Sequence, residues 1–179
     1  GQRLELNGGT FNGSASFTRF SQQLDVCEGG NVFNGVTQIC DSVAATTANR
    51  VFKLANTNPD DFNGNVTFKQ YGTGSSASTM KMYPAYTANS TFAGNVIVES
   101  NTIPIEFGAN GGKVIFDGSA NQTLSKTGSY NPAIKKLQMN KETKKITLNL
   151  PLTISDSLIF TRGVIASDSS NLLLIPDNC

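Results

Sequence analysis

An all-β chain wound as a parallel β-helix is what three observations on this sequence predict. Its composition favours strands and turns over helices, a Phe-x-Gly turn returns at intervals suited to stacked arrays, and short alternating apolar runs follow those turns. An antiparallel β-sandwich is the alternative, but it would want longer strands at spacings of about 8–12 residues joined by hairpin turns.

The composition argument comes first because it bounds the rest. Of 179 residues, 38% are hydrophobic and only 15% charged, and Asn, Thr, Ser and Gly, the residues of turns and solvated strands, fill much of the remainder. Stripes of Ala, Glu, Lys and Leu on a helical period are missing. The length fits one domain with a sizeable core. A formal net charge of +1 gives no global field to draw in nucleic acid or an anionic membrane. No run of about 18 apolar residues and no secretory leader pattern stands in the chain, so it is not expected to span a membrane. It starts at Gly1 and stops at Cys179 straight after an apolar strand, as an excised piece of a longer repeat protein would.

The turns are the next element. The triplet stands at Phe11-Asn12-Gly13, Phe33-Asn34-Gly35, Phe62-Asn63-Gly64 and Phe92-Ala93-Gly94, with spacings of 22, 29 and 30 residues. Periods of that size mark solenoids and stacked arrays. Behind three of the turns run the alternating strands "SASFTRF", "NVTFKQY" and "NVIVES". Each Phe is expected to pack inward while each Gly supplies the positive φ of a tight turn. The repeating unit is a turn plus a strand, and it extends over residues 1–118.

Residues 119–179 carry a compatible rhythm of shorter strands. Apolar pairs stand at Leu137/Met139, Ile146/Leu148, Leu152/Ile154, Leu158/Phe160 and Leu172/Leu174, and they recur at about twenty residues. Strands that short suit the circuits of a parallel β-helix, each stacked on the one before.

These residues carry a resemblance. "LELNGGTFNGSASFTR", "GGNVFNGVTQI", "NPDDFNGNVTF" and "NSTFAGNVIVESNTIPIEFGANGGKVIF" resemble the repeats of very large secreted cell-surface proteins of Bacteroidetes. The closing stretch from Asn121 to Ile175 is similar to a pattern common in cargo of the type IX secretion system. The resemblance implies a right-handed β-helix within a secreted, cell-surface adhesin, a structural and non-catalytic role, and as partner a surface polysaccharide or another cell surface.

Residues that could carry chemistry are few. Cys27, Cys40 and Cys179 are the only cysteines and histidine is absent, which removes the usual zinc sites. Cys27 and Cys40 either close a small loop as a disulfide or lie buried as free thiols. Gly72, Gly74 and Ala77 spell a dinucleotide fingerprint, but the helix it requires is replaced by a stretch that ends at Pro84, so a turn is expected. Asp61, Asn63 and Asn65 alternate like the start of a calcium loop, yet the sixth and twelfth positions are Val66 and Gly72. No cofactor is expected, with calcium beside Asp60 and Asp61 as the one candidate.

Two surface groups remain. Lys135, Lys136, Lys141, Lys144 and Lys145, opposed only by Glu142, form either a solvated face or a contact for an anionic polysaccharide. Tyr71, Tyr83 and Tyr86 are candidates for a glycan platform, because a phenol offers a flat apolar face and a polar rim. A carbohydrate-binding module is therefore one alternative function, and a β-helix polysaccharide lyase or hydrolase is another. Catalysis is not expected: the acidic residues are scattered, and Asp60 and Asp61, the one adjacent pair, would point to opposite faces of a strand unless they lie in a turn. Finally, Ser42 and Ser157 sit in Asp-Ser-aliphatic triplets that resemble O-glycosylation acceptors of Bacteroidetes surface proteins, and Asn12, Asn65, Asn89 and Asn121 open Asn-x-Ser/Thr triplets.

Overall fold

The computed structural model describes residues 3–20, 24–43, 50–71, 80–101 and 103–175. All regular structure among them is β, and every strand pair is parallel. That excludes the antiparallel sandwich. Parallel neighbours need a long crossover, and here the crossover is the rest of a circuit: the chain passes through successive short strands and returns one strand spacing away.

The first circuit holds β1 (Thr10–Phe11), β2 (Ala15–Arg19) and β3 (Asp25–Val26). The second holds β4 (Val32–Phe33), β5 (Thr37–Asp41) and β6 (Arg50–Lys53), and the third β7 (Asp60–Phe62), β8 (Val66–Gln70) and β9 (Met80–Tyr83). A fourth follows with β10 (Ser90–Phe92), β11 (Val96–Ser100) and β12 (Glu106–Phe107). After β13 (Val114–Phe116) and β14 (Gln122–Thr127) the chain enters β15 (Ala133–Asn149) and β16 (Leu152–Ala166), then ends its described part in β17 (Leu173–Leu174). β15 pairs in turn with β12, β13 and β14, so one strand bends through a whole circuit. Through it the ladders join into a 14-stranded sheet curled into a solenoid-like shape, while β3, β6 and β9 form a separate three-stranded sheet.

A register-matched phenylalanine ladder runs along the stack, fully buried from Phe33 to Met139 and more open at its two ends. Phe11, Phe33, Phe62, Phe92 and Phe116 pair in sequence, followed by Met139 and Phe160. Neighbouring rings of the first four lie 4.7–5.1 Å apart and within 9° of parallel, a distance set by the strand spacing of about 4.8 Å. The sequence shows one more copy of the turn than the four expected, Phe116-Asp117-Gly118.

The reason for the glycines also differs from expectation. Gly13, Gly35, Gly64 and Gly94 are not among the positive-φ residues. The last three are needed because the circuits touch there: a Cβ on Gly35 would lie 2.3 Å from the Gly13 carbonyl oxygen, one on Gly64 2.2 Å from that of Gly35, and one on Gly94 2.3 Å from that of Gly64. Close backbone approach, rather than turn geometry, fixes the residue type.

The short-strand reading holds for Leu137, Met139, Ile146, Leu148, Leu152 and Ile154, all buried. It departs first at Leu158 and Phe160, where Leu158 packs against the core but Phe160 is exposed, and it slips by one at the end. Leu173 packs against the core and pairs with Leu152, while Leu172 and Leu174 are exposed, because the last strand enters with the opposite pleat.

Asparagines stitch the corners. The Asn65 side-chain carbonyl accepts from Asn95 N at 2.8 Å, and Asn95 in turn accepts from Thr123 N at 2.8 Å. Asn89 accepts from Lys113 N and Asn121 from Lys145 N. Asn63 donates to Asn34, which donates to Asn12. The first four bonds satisfy backbone N–H groups that leave the ladders at the corners, and the last two link side chains of successive circuits.

Candidate functional site

The outer face of β6, β9 and β12 gathers the most chemistry. Alternation sends Phe52 and Met82 into the core, which leaves Lys53, Lys81 and Tyr83 on the outside. Lys53 pairs in register with Tyr83. After Pro84 the chain takes a left-handed step at Ala85, φ 57°, and this sets Tyr86 beside Tyr83 with ring centroids 5.4 Å apart and planes tilted by 51°. The Lys53 ammonium lies 4.1 Å from the centre of the Tyr86 ring, within cation–π range. One rung further, Glu106 takes Lys81 at 3.0 Å and Lys135 at 3.6 Å, and Lys135 also donates to the Ala109 carbonyl at 2.9 Å. Burial pushes the Tyr83 phenol above its ordinary pKa, so it stays a neutral hydrogen-bond donor at neutral pH.

The expected residues thus divide. Tyr83, Tyr86 and Lys135 come together. Tyr71 belongs to another ladder: it follows β8, and its hydroxyl bonds to Glu99, which Lys69 meets at 3.2 Å. That bond, with Lys69 beside it, holds the Glu99 carboxyl below its usual range.

The lysine run is not one patch. Lys136 pairs with Asp156 at 3.6 Å, and Lys144 and Lys145 are exposed. Lys141, expected at a glycan contact, is fully buried. Its ammonium donates to the Gly118 carbonyl at 2.6 Å and to the Gln122 side chain, which itself donates to the Phe92 and Gly94 carbonyls. Burial lowers its pKa, with Asp117 opposing. Lys141 is a tie between circuits and no ligand contact.

Beside that tie opens a polar cleft of about 410 Å³ whose lining includes Asp117, Ser119, Asn140, Glu142, Lys144 and Arg162. Burial, with the Asp61 charge, pushes the Asp117 carboxyl up, and Arg162 meets Glu142 at 3.4 Å. Both signs of charge line this cleft, so it suits a small polar group better than a polyanion.

The remaining candidates take up structural places. Cys27 and Cys40 are free and buried. They cannot join because Cys27 points into the core, its sulfur against Leu6 N, whereas Cys40 stands in register with the outward Thr18 and Lys69. Burial raises the Cys27 thiol to about 12. Asp60 is buried and accepts from Asn31 N, Asn31 Nδ2 and Ala55 N, while Asp61 points outward and accepts from Thr91. Among the described residues no group of three metal-ligating side chains is placed to hold a cation. Ser42 is half-buried between buried Asp41 and Val43, and Ser157 is half-buried next to Asp156. Gly72, Gly74, Ala77 and Cys179 lie outside the described residues.

Sequence reasoning missed Lys53, Lys81 and Glu106. The signal was there: Lys53 and Tyr83 are one period of 30 apart, the same interval as Phe62 and Phe92, so aligning the circuits would have stacked them. Among the described residues no helix is long and apolar enough to cross a membrane. No protein-family model, curated protein or solved structure matches this chain.

Proposed function

We propose that the chain is a segment of a right-handed parallel β-helix serving as a secreted, non-catalytic structural and adhesive element of a bacterial cell surface. The observation that carries this reading is the unbroken ladder from Phe11 to Phe160. The recurring Phe, Gly and Asn residues are all used in stacking one circuit on the next. Nearest-neighbour stacking of this kind gives an elongated body that can hold other regions away from a cell. The resemblance of the turn repeats to large secreted Bacteroidetes proteins supports the location.

Antibodies raised against the purified chain test it on intact cells of the native host. Surface labelling that is lost after external protease treatment is expected; labelling only after lysis would sink the proposal. A polysaccharide hydrolase is the second reading, favoured by the cleft that holds Asp117 and Glu142. Reducing ends released from acidic polysaccharides, and abolished by Asp117→Asn, would replace the non-catalytic reading.

A further inference from the structure

We propose that the outer face carrying Lys53, Lys81, Tyr83, Tyr86 and Lys135 is a binding site for acidic polysaccharide, a glycan whose pyranose rings bear carboxylate or sulfate groups. It deepens the adhesive reading and rests on that reading only for the protein's place outside the cell.

Three features define the ligand. The paired phenol rings of Tyr83 and Tyr86 are half-buried and fixed by stacked backbone, and they offer apolar faces for the C–H side of a sugar ring. Their hydroxyls make no hydrogen bond among the described residues, so both can serve hydroxyl groups at the ring edge. The cluster holds three ammonium groups against one carboxylate: Lys81 and Lys135 meet Glu106, and Lys53 lies over the Tyr86 ring. The face therefore keeps an excess of positive charge although the whole chain carries only +1. A neutral glycan would leave those charges unused, and a small anion would leave the rings uncovered.

Repetition adds the third dimension. Lys53 lies on the second circuit, Tyr83 and Lys81 on the third, Glu106 on the fourth and Lys135 in the strand after it. Lys53 and Lys81 stand on paired strands one spacing, about 4.8 Å, apart, and Lys135 lies beyond Glu106 on the strand paired with β12. An extended polymer laid along the axis meets several of them in turn, and multivalent contact raises avidity without a deep pocket.

Binding of the purified chain to immobilised polygalacturonate, heparin, neutral dextran and duplex DNA tests the proposal, measured at low and at physiological salt. One or both acidic polysaccharides should bind and dextran should not; the carboxylate and sulfate arms identify which group is read. Tyr86→Ala, and separately Lys81→Gln with Lys135→Gln, should each weaken binding about tenfold, with Tyr86→Phe intermediate. Lys144→Gln with Lys145→Gln, exposed lysines off this face, should leave binding unchanged. Thermal melts that match the parent for each variant separate lost contacts from lost folding. Absence of binding to both acidic polysaccharides, equal binding to DNA, or loss only in the Lys144/Lys145 variant would overturn it. Surface labelling of cells is a separate readout, so either reading can fail alone.

Discussion

At the scale of single residues, the turn glycines and Cys27 give the sharpest expectations. Gly13 and Gly64 occupy the same place in the repeat, but only Gly64 has a circuit against its missing Cβ; the space beside Gly13 is open. Gly64→Ala should therefore cost about 3 kcal/mol, as overpacking does when backbone must move, whereas Gly13→Ala should be near neutral in a chemical denaturation curve. Equal effects would mean that turn geometry governs after all. For Cys27, with its thiol at about 12 and its sulfur in the core, native alkylation by iodoacetamide should be negligible. Both Cys27 and Cys40 should label after denaturation without any reductant; protection until reductant is added would show a disulfide.

At the scale of elements, each phenylalanine rung closes one circuit. Phe62→Ala or Phe92→Ala removes a fully buried ring and should destabilise by about 3–5 kcal/mol. Phe116→Ala, from the copy of the turn that sequence reading missed, should do the same by thermal melting.

A buried polar column stands beside these rungs. Arg19 meets Asp25 at 2.9 Å and Asp41 at 3.0 Å, and Gln70 donates to Asp41 at 3.1 Å. Burial raises the Asp41 and Asp60 carboxyls above the ordinary 3.8. With the folded value above the unfolded one, the native state binds the extra proton first. Stability then rises as pH falls through the folded value towards about 4. Calorimetry between pH 7 and 4 should show the parent gaining in Tm relative to Asp41→Asn as pH falls.

What the sequence disclosed at this scale was anything tied to the repeat: the Phe rungs, the strand alternation in β8 and β11, and the parallel stacking. Three kinds of fact were not legible. The Gly35, Gly64 and Gly94 series is set by contacts 22 to 30 residues away, so a local rule about φ gave the wrong cause. Lys141 stands in a charged run and reads as surface, although a carbonyl and an amide wait for it inside. The Lys53, Lys81 and Glu106 cluster carries no motif, since each residue is ordinary until neighbouring circuits are laid side by side.

At the scale of the whole molecule, stability is a sum over neighbouring circuits. Phe62 and Phe92 have partners on both sides, whereas Phe160 ends the ladder with half of its surface, 54%, exposed. Amide hydrogen exchange should accordingly be slowest in β7, β8, β10 and β11 and fastest in β16 and β17. Uniform protection would point to a single cooperative block in place of a stacked array.

The changing circumference of that stack has one more consequence. Matched rungs are separated by 29 and 30 residues in the middle of the chain but by only 23 and 21 towards β16, yet every circuit advances the axis by the same strand spacing of about 4.8 Å. Laid out straight, even the shortest circuit would span roughly 70 Å. Winding thus gives up more than nine-tenths of the available reach, and what it gains is girth and flank: side walls on which residues from distant parts of the chain come to lie one strand spacing apart.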